Sequence, residues 1–405
     1  MPPVEPPRKI FGLNRNIFVL GLTSFFNDFS NEMILATFPA FFTSVLKAGA
    51  ASLGLVEGIA DGASNILKIY SGQLSDKLKR RRIFIFAGYG MSVIIRPFYM
   101  IMSTVGGVLG LRIIDRIGKG VREAPRDVII SVSSDKSEMG RSFGYHRAMD
   151  TAGGILGPLV AYLMLSRWPG GFNLIFLTAF LIGIVAVLTI FFVKDVFIAR
   201  DGAGVRIFSW KTFQSFSPRF KWYLASIFIL SIGSLPSALL LLQTTNIGLM
   251  IASIPLYYMI YSISFTLFSY AAGKLSDRIG TSRVLALGYA ILAMSYLALM
   301  TSSTPLTLGF SFAVMGIFSA CTDASQRAFV AKHTPDFERG TAYGMYNAVV
   351  GFGVMISGIL GGYLWQAFGP TSALFAAEAV VIVGLVVFWM GMRRSVDRVG
   401  GVSGR

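Results

Sequence analysis

The chain is poor in the residues from which most catalytic and metal centres are made. Cysteine occurs once, as Cys321, and histidine twice, as His146 and His333. One thiol forms no disulfide framework, and one thiol with two scattered imidazoles forms no zinc site, so no metal site is expected. No Gly-x-Ser-x-Gly elbow accompanies a histidine triad, and no Gly-x4-Gly-Lys-Ser/Thr loop is present, which removes the enzyme classes built on them. Charge is also scarce, at 14% of residues against about 25% in soluble proteins. Acidic residues are scarcest, 20 against 36 basic ones, for a net charge of +16. In water that excess points to nucleic acid. Here the basic residues gather in short segments between apolar runs, so no nucleic-acid partner is expected.

Apolar side chains are abundant. They make up 54% of the chain, with mean hydropathy +0.65, and Phe (34) and Gly (44) are frequent. That is more apolar surface than one soluble core requires, and a spanning helix needs about 20 apolar residues. Twelve spans are read at 17–46, 51–75, 83–103, 104–132, 140–166, 170–193, 219–246, 249–276, 283–301, 304–332, 341–366 and 369–392. The third, sixth, ninth and twelfth are the plainest, and this rhythm marks them as lipid-facing and the others as cavity-lining. The Pro-rich, basic segment before Arg15 leads into a first span too polar at its middle for a cleaved signal peptide.

Loop charge sets the expected topology. Arg8, Lys9 and Arg15 precede the first span, Lys77 to Arg82 follow the second, and Lys194 to Lys221 supply six cations between the halves. Arg278 and Arg283 follow the eighth span, and Arg393, Arg394 and Arg398 the twelfth. The loops on the other side are nearly neutral, apart from Lys47 and Arg167. The positive-inside rule then places both termini in the cytoplasm, for a multi-pass protein of the cell membrane.

The halves repeat. Gly72-Gln-Leu-Ser-Asp76 closes the second span and Gly273-Lys-Leu-Ser-Asp277 the eighth. Gly140-Arg-Ser-Phe-Gly144 opens the fifth and Gly340-Thr-Ala-Tyr-Gly344 the eleventh. Two markers in one register imply two pseudo-symmetric six-helix bundles, 1–193 and 219–405, joined by a linker at 194–218.

These residues resemble the major facilitator superfamily. Its loop signature Gly-x-Leu-x-Asp-Arg-x-Gly is matched by Gly273 to Gly280, with Asp277 and Arg278. It is matched less fully by Gly72, Asp76 and Arg80, where Lys79 replaces the second Gly. The resemblance implies an all-α membrane fold and a cytoplasmic gate in which Asp76 faces a helix N-terminus. Arg112 corresponds to the family's fourth-helix arginine, with Arg116 in place of the usual Gly. Gly153, Gly157 and Pro158 resemble the antiporter motif Gly-x3-Gly-Pro-x2-Gly-Gly, whose last pair is Ala161 and Tyr162 here. Efflux is therefore the expected direction.

The fourth span carries the most information. Arg112, Asp115, Arg116, Lys119, Arg122, Glu123, Arg126 and Asp127 fall within about 140° on a helical wheel. A charge at the bilayer centre costs roughly 2.5–3.5 kcal/mol on insertion scales, so the middle of this ladder must face a cavity or partners. Partners are available in Asn27, Asp28, Asn31 and Glu32 of the first span and Glu57, Asp61, Asn65 and Lys68 of the second. Arg147, Asp150 and His146 lie in the fifth, with Arg126, Asp127 and His146 toward the gate. The tenth span keeps Asp323, Gln326 and Arg327. The expected function is secondary transport of a small polar or charged solute by alternating access, with the bundles rocking about a midplane site. One of Asp28, Glu32, Glu57 and Asp61 is expected to take the coupling proton, with no other cofactor, and the chain to work as a monomer in the lipid bilayer. Coupled uptake, an amphiphilic cargo and a metal-ion cargo are the alternatives.

Overall fold

Helix caps and apolar run length account for most of the architecture. Thr104 Oγ1 accepts the Gly107 amide at 3.2 Å, and Thr304 Oγ1 accepts the Thr307 amide at 3.2 Å. Each cap satisfies an amide that a helix N-terminus leaves over, and the two stand in the register of the repeat. The computed structural model describes residues 9–78, 81–134, 138–195, 213–214, 216–334 and 339–400, with side chains except at 9, 69–78, 124, 140, 324, 339–340 and 394–400.

Twelve long helices occupy the described residues. They are α1 Arg15–Ser44, α2 Ala50–Leu78, α3 Arg81–Ile94, α4 Val105–Val132, α5 Met139–Arg167 and α6 Phe172–Thr189 in the first half. The second half has α7 Pro218–Ile232, α8 Ile254–Ile279, α9 Thr281–Met300, α10 Pro305–His333, α11 Arg339–Phe368 and α12 Pro370–Gly400. Nine of the twelve belong to segments long and apolar enough to cross a membrane. The other three, α1, α2 and α4, are 28–30 residues long and carry the internal charges. A short hairpin pairs Lys9–Ile10 with Leu13–Asn14 ahead of α1. Its two-residue turn has positive φ at Phe11 and Gly12 (50° and 76°), as a primed turn requires.

Two spans are not the continuous helices that the sequence suggests. The third stops at Ile94 and resumes as a 3-10 helix, Arg96–Ile101, because Pro97 cannot continue the ladder. The seventh breaks between Ile232 and Ser237 at Gly233-Ser-Leu-Pro236. A break at membrane depth exposes backbone groups that need partners. Tyr296 supplies two of them: its hydroxyl donates to Gly233 O at 2.9 Å and accepts from Leu235 N at 2.9 Å. Ser357 Oγ donates to Ser234 O at 2.9 Å.

The chain forms two compact units, Met1–Thr37 with Tyr70–Ala203, and Phe38–Ile69 with Gly204–Arg405. In the first, α3 lies along α4, with Gly88 and Gly118 at the crossing, and Asn16 ties three segment ends together. Its side chain donates to Ser133 Oγ (3.2 Å) and Lys194 O (3.0 Å) and accepts from Lys194 N (2.9 Å). In the second, α10 packs on α8 and α9, and α7 on α11 and α12. The α2 residues of that unit meet α11 backbone to backbone. Gly54, Gly58 and Gly62 face Gly351, Gly358 and Gly362, and a Cβ on Gly58 would lie 2.9 Å from Met355 O and 3.0 Å from Gly358 Cα. Such small-residue stripes let membrane helices approach closely. The outer faces are apolar. On α6, Leu174, Leu177, Leu181, Val185 and Leu188 are all exposed, a surface suited to lipid rather than water.

Gly58→Leu puts a side chain where backbone now lies. The expected loss is about 1–3 kcal/mol of stability, read as a lower midpoint in thermal unfolding of the purified protein. Gly144→Leu, where a Cβ meets nothing within 4 Å, should leave the midpoint unchanged.

Candidate functional site

A fully buried cation of the first unit stands at the kink that ends α3. Arg96 is 2% exposed and its guanidinium reaches two other helices. Nη2 donates to Asn27 Oδ1 of α1 at 3.2 Å, and Nη1 donates to Ser30 Oγ of α1 and, at 3.4 Å, to Ala179 O of α6. Ser30 Oγ in turn donates to Ala179 O. Pro97 positions this arrangement, since ending α3 there turns Arg96 into the interior.

The charged stripe of α4 is largely inside the protein and not against lipid. Arg112 (1% exposed), Asp115, Arg116 and Arg122 are buried, while Lys119 and Glu123 are half-buried. Arg112 Nη1 lies 3.5 Å from Asp115 Oδ2 and Lys119 Nζ 3.9 Å from Glu123 Oε1. Arg122 turns toward α3. Its Nη1 donates to Ser92 Oγ at 2.7 Å and Gly88 O at 3.3 Å, and its guanidinium sits 4.5 Å from the Tyr89 ring centroid. Ser92 Oγ also donates to Asp115 O at 3.3 Å. At the far end of α4, Arg126 Nε pairs with the exposed Asp127 at 3.0 Å.

A small cavity lies among these groups, lined by Asn31 and Ile34 of α1, Ser92, Ile95, Arg96 and Tyr99 of the third span, and Arg112 and Asp115 of α4. It has room for about one water molecule. Its wall carries two guanidinium groups, one carboxylate, one amide and two hydroxyls, a set suited to an acidic group or a zwitterion. The plain third span, expected to face lipid, therefore supplies half of the lining residues. A lone arginine followed by proline inside an apolar run was the available signal for it.

The other expected residues fall in several places. Asp28 accepts from Asn27 Nδ2 at 2.9 Å, and Asn31 Nδ2 donates to Glu32 Oε1 at 3.1 Å. Glu57, Asp61 and Asn65 lie in the second unit. There Glu57 is buried, and Asn65 Nδ2 bonds back to Asp61 O at 3.1 Å. Asp323 and Arg327 form an exposed ion pair of 3.1 Å on α10. Gly153 and Gly157 press α5 onto α1, where a Cβ at Gly157 would lie 3.0 Å from Glu32 Cβ, and Pro158 is buried beside them. Of the gate residues, Arg80 and the side chains of Gly72 and Asp76 lie outside the described residues. Gly273 is half-buried, and Asp277 and Arg278 are exposed at the end of α8. Among the described residues no three His, Cys, Asp or Glu side chains converge on a metal position.

This helical architecture has a counterpart in a known family. The family model of the Major Facilitator Superfamily matches residues 20–261 and 222–403. The chain belongs to the Major Facilitator Superfamily. An uncharacterized MFS-type transporter of Methanocaldococcus jannaschii is 32% identical to this facilitator over 384 residues, spanning 93% of this chain and 95% of its own. The multi-drug resistance efflux pump PmrA homolog of Lactococcus lactis subsp. lactis is 24% identical over 410 residues, spanning 95% and 97%. Among solved structures, a point mutant of the nucleoside transporter NupG superposes with a TM-score of 0.80 at 17% identity, covering 93% of this chain and 99% of its own. That likeness shows an all-α fold, and membership of the family makes the chain a multi-pass membrane transporter.

In this facilitator, Arg96→Ala leaves Asn27 and Ser30 without their buried donor and should cost about 1–3 kcal/mol. Removing the half-exposed partner in Lys119→Ala should cost under about 1 kcal/mol. Unfolding midpoints of the two variants in one detergent check the order.

Proposed function

We propose that the chain is a proton-coupled secondary transporter that exports a small polar solute bearing an acidic group, alone or as a zwitterion, by alternating access. The observation that carries this reading is the cavity wall of Arg96, Arg112, Asp115 and Asn31 inside the first unit. Charge buried in a membrane protein is costly unless it is used. A purely structural wall between α3 and α4 is built more cheaply from apolar side chains. The guanidinium groups hold the acidic group of the solute, and Asp115 with Asn31 holds a donor on it. The cavity at its present size excludes such a solute. Binding therefore requires α1 to move relative to α3 and α4, which makes the polar wall part of the conformational cycle. The multi-drug resistance efflux pump among the relatives supports the outward direction, as do the helix-packing glycines Gly153 and Gly157. The protein works as a monomer in the cell membrane with both termini in the cytoplasm.

The test is flux in proteoliposomes loaded with a pH-sensitive dye, across a panel of amino acids, organic anions, sugars and lipophilic cations. Proton movement is expected with a zwitterion or an organic anion. Arg112→Gln should weaken the response about 10- to 100-fold, as expected for a lost charge-assisted hydrogen bond of roughly 1.5–3 kcal/mol. Response to lipophilic cations alone, unchanged in Arg112→Gln, contradicts the proposal.

A further inference from the structure

A second polar cluster lies one helical turn from the cavity, where α1 and α5 run side by side. Each helix contributes an i, i+4 pair to the seam, Ser24 and Asp28 on α1 and His146 and Asp150 on α5. The glycines of α5 bring them close, since a Cβ on Gly153 would lie 3.3 Å from the Asp28 carbonyl carbon. His146 Nδ1 is 3.4 Å from Asp150 Oδ2. Asp28 and Asp150 are close enough to repel each other directly, and Ser24 faces the Asp150 carboxylate. Lys119 and Arg122 of α4 face Asp28, and Arg126 and Asp127 of α4 with Arg147 of α5 face Asp150.

Three features mark this cluster as more than packing. Ser24 Oγ, Asp150 Oδ1 and His146 Nε2 are all buried and find no well-formed hydrogen bond among the described residues. Orphaned polar atoms gathered in one place call for an occupant. The cluster is also wired to the cavity: Arg96 of the cavity wall donates to Asn27, and Asn27 donates to Asp28. Lastly, the second half builds the equivalent position without charge. Tyr346 stands where His146 does, Val350 where Asp150 does and Gln326 where Arg126 does. There Tyr346 donates to Gln326 Oε1, and Gln326 Nε2 donates to Tyr289 at 2.7 Å. The scaffold thus holds this seam with neutral groups, so the carboxylate pair of the first half serves something else.

We propose that Asp150, paired with Asp28 and served by His146, is the proton-coupling site of this transporter, a site the sequence points to only through Asp28. It rests on the transport reading and replaces Glu57 and Asp61 as proton carriers. When the seam opens, a hydronium proton adds to His146 Nε2, breaking one O–H bond and leaving water, while Nδ1–H is handed to Asp150 and the imidazole is left neutral with its proton on Nε2. One O–H bond forms on the carboxyl and one N–H bond is lost from the imidazolium. The neutralised pair no longer pushes α1 from α5, and α1 carries Asn31 at the cavity wall. Two buried carboxylates that repel each other across one seam favour sharing one proton over ionising together.

Locating the protonated carboxyl needs no solute. Infrared difference spectra of the purified protein in nanodiscs, acid minus alkaline, report the C=O stretch of protonated carboxyls. The wild type should show a band that Asp150→Asn removes and whose pH midpoint moves in Asp150→Glu and His146→Gln. A band that survives Asp150→Asn, or that Asp61→Asn removes instead, overturns the assignment while leaving proton coupling intact. If Asp150→Asn does not fold, an unmoved midpoint in Asp150→Glu is decisive against it. A band that sodium replaces, relative to choline, makes the cluster a sodium site and overturns the proton assignment. Loss of the band in Asp150→Asn, with solute flux indifferent to a pH gradient, keeps the protonation site and removes the coupling reading.

Discussion

A guanidinium cannot be left in hydrocarbon, and the first compact unit buries several of them. Arg96, Arg112, Arg116 and Arg122 are each 5% exposed or less. Keeping them there dictates much of the local structure. Arg96 draws Asn27, Ser30 and the Ala179 carbonyl together, which locks α1 and α6 to the kinked third span. Arg122 requires α3 and α4 to meet closely enough for Gly88 O and Ser92 to serve it, and the glycines at that crossing permit the approach. The polar cavity is the space these obligations leave.

The second unit meets the same packing needs with uncharged hydrogen bonds. Tyr296, in the repeat position of Arg96, bridges the broken seventh span through its hydroxyl. Tyr289, in the position of Tyr89, and Tyr346 share Gln326, and Tyr223 donates to Gln326 O at 3.0 Å. Phenol and amide groups tolerate low dielectric without an ion's desolvation penalty. The buried positions of α3 and α4 thus carry charge where their repeat positions in α9 and α10 carry neutral groups, and the proposed transport site lies on the charged side.

Much of the fold was legible in the chain. Apolar run length is a strong signal because the bilayer sets it, and the twelve helices lie where the runs are. The α4 stripe was equally plain, because eight charges on one face of a spanning helix have to meet polar groups or water. The single Arg96 was harder to read. One charge hardly changes the apolar character of its span, and its partners come from two helices distant in sequence. The Gly54, Gly58, Gly62 stripe is visible as a pattern, but only the approach of α11 gives it meaning. His146 was placed toward the gate and Asp150 only among the partners of the α4 stripe, since spacing along one helix does not say which neighbour it faces. The break after Ile232 was hidden by hydropathy, to which a Gly and a Pro contribute little.

The central claim is that the charge of α4 faces a polar interior and not lipid. With one native cysteine, a Cys321→Ser background lets single cysteines be placed at will and probed in native membranes with a charged, water-soluble thiol reagent. Lys119→Cys and Glu123→Cys should react at rates within about tenfold of an exposed loop position, while Leu181→Cys on the outer face of α6 should react only with a lipid-soluble maleimide. Equal inertness of all three to the charged reagent would contradict the account.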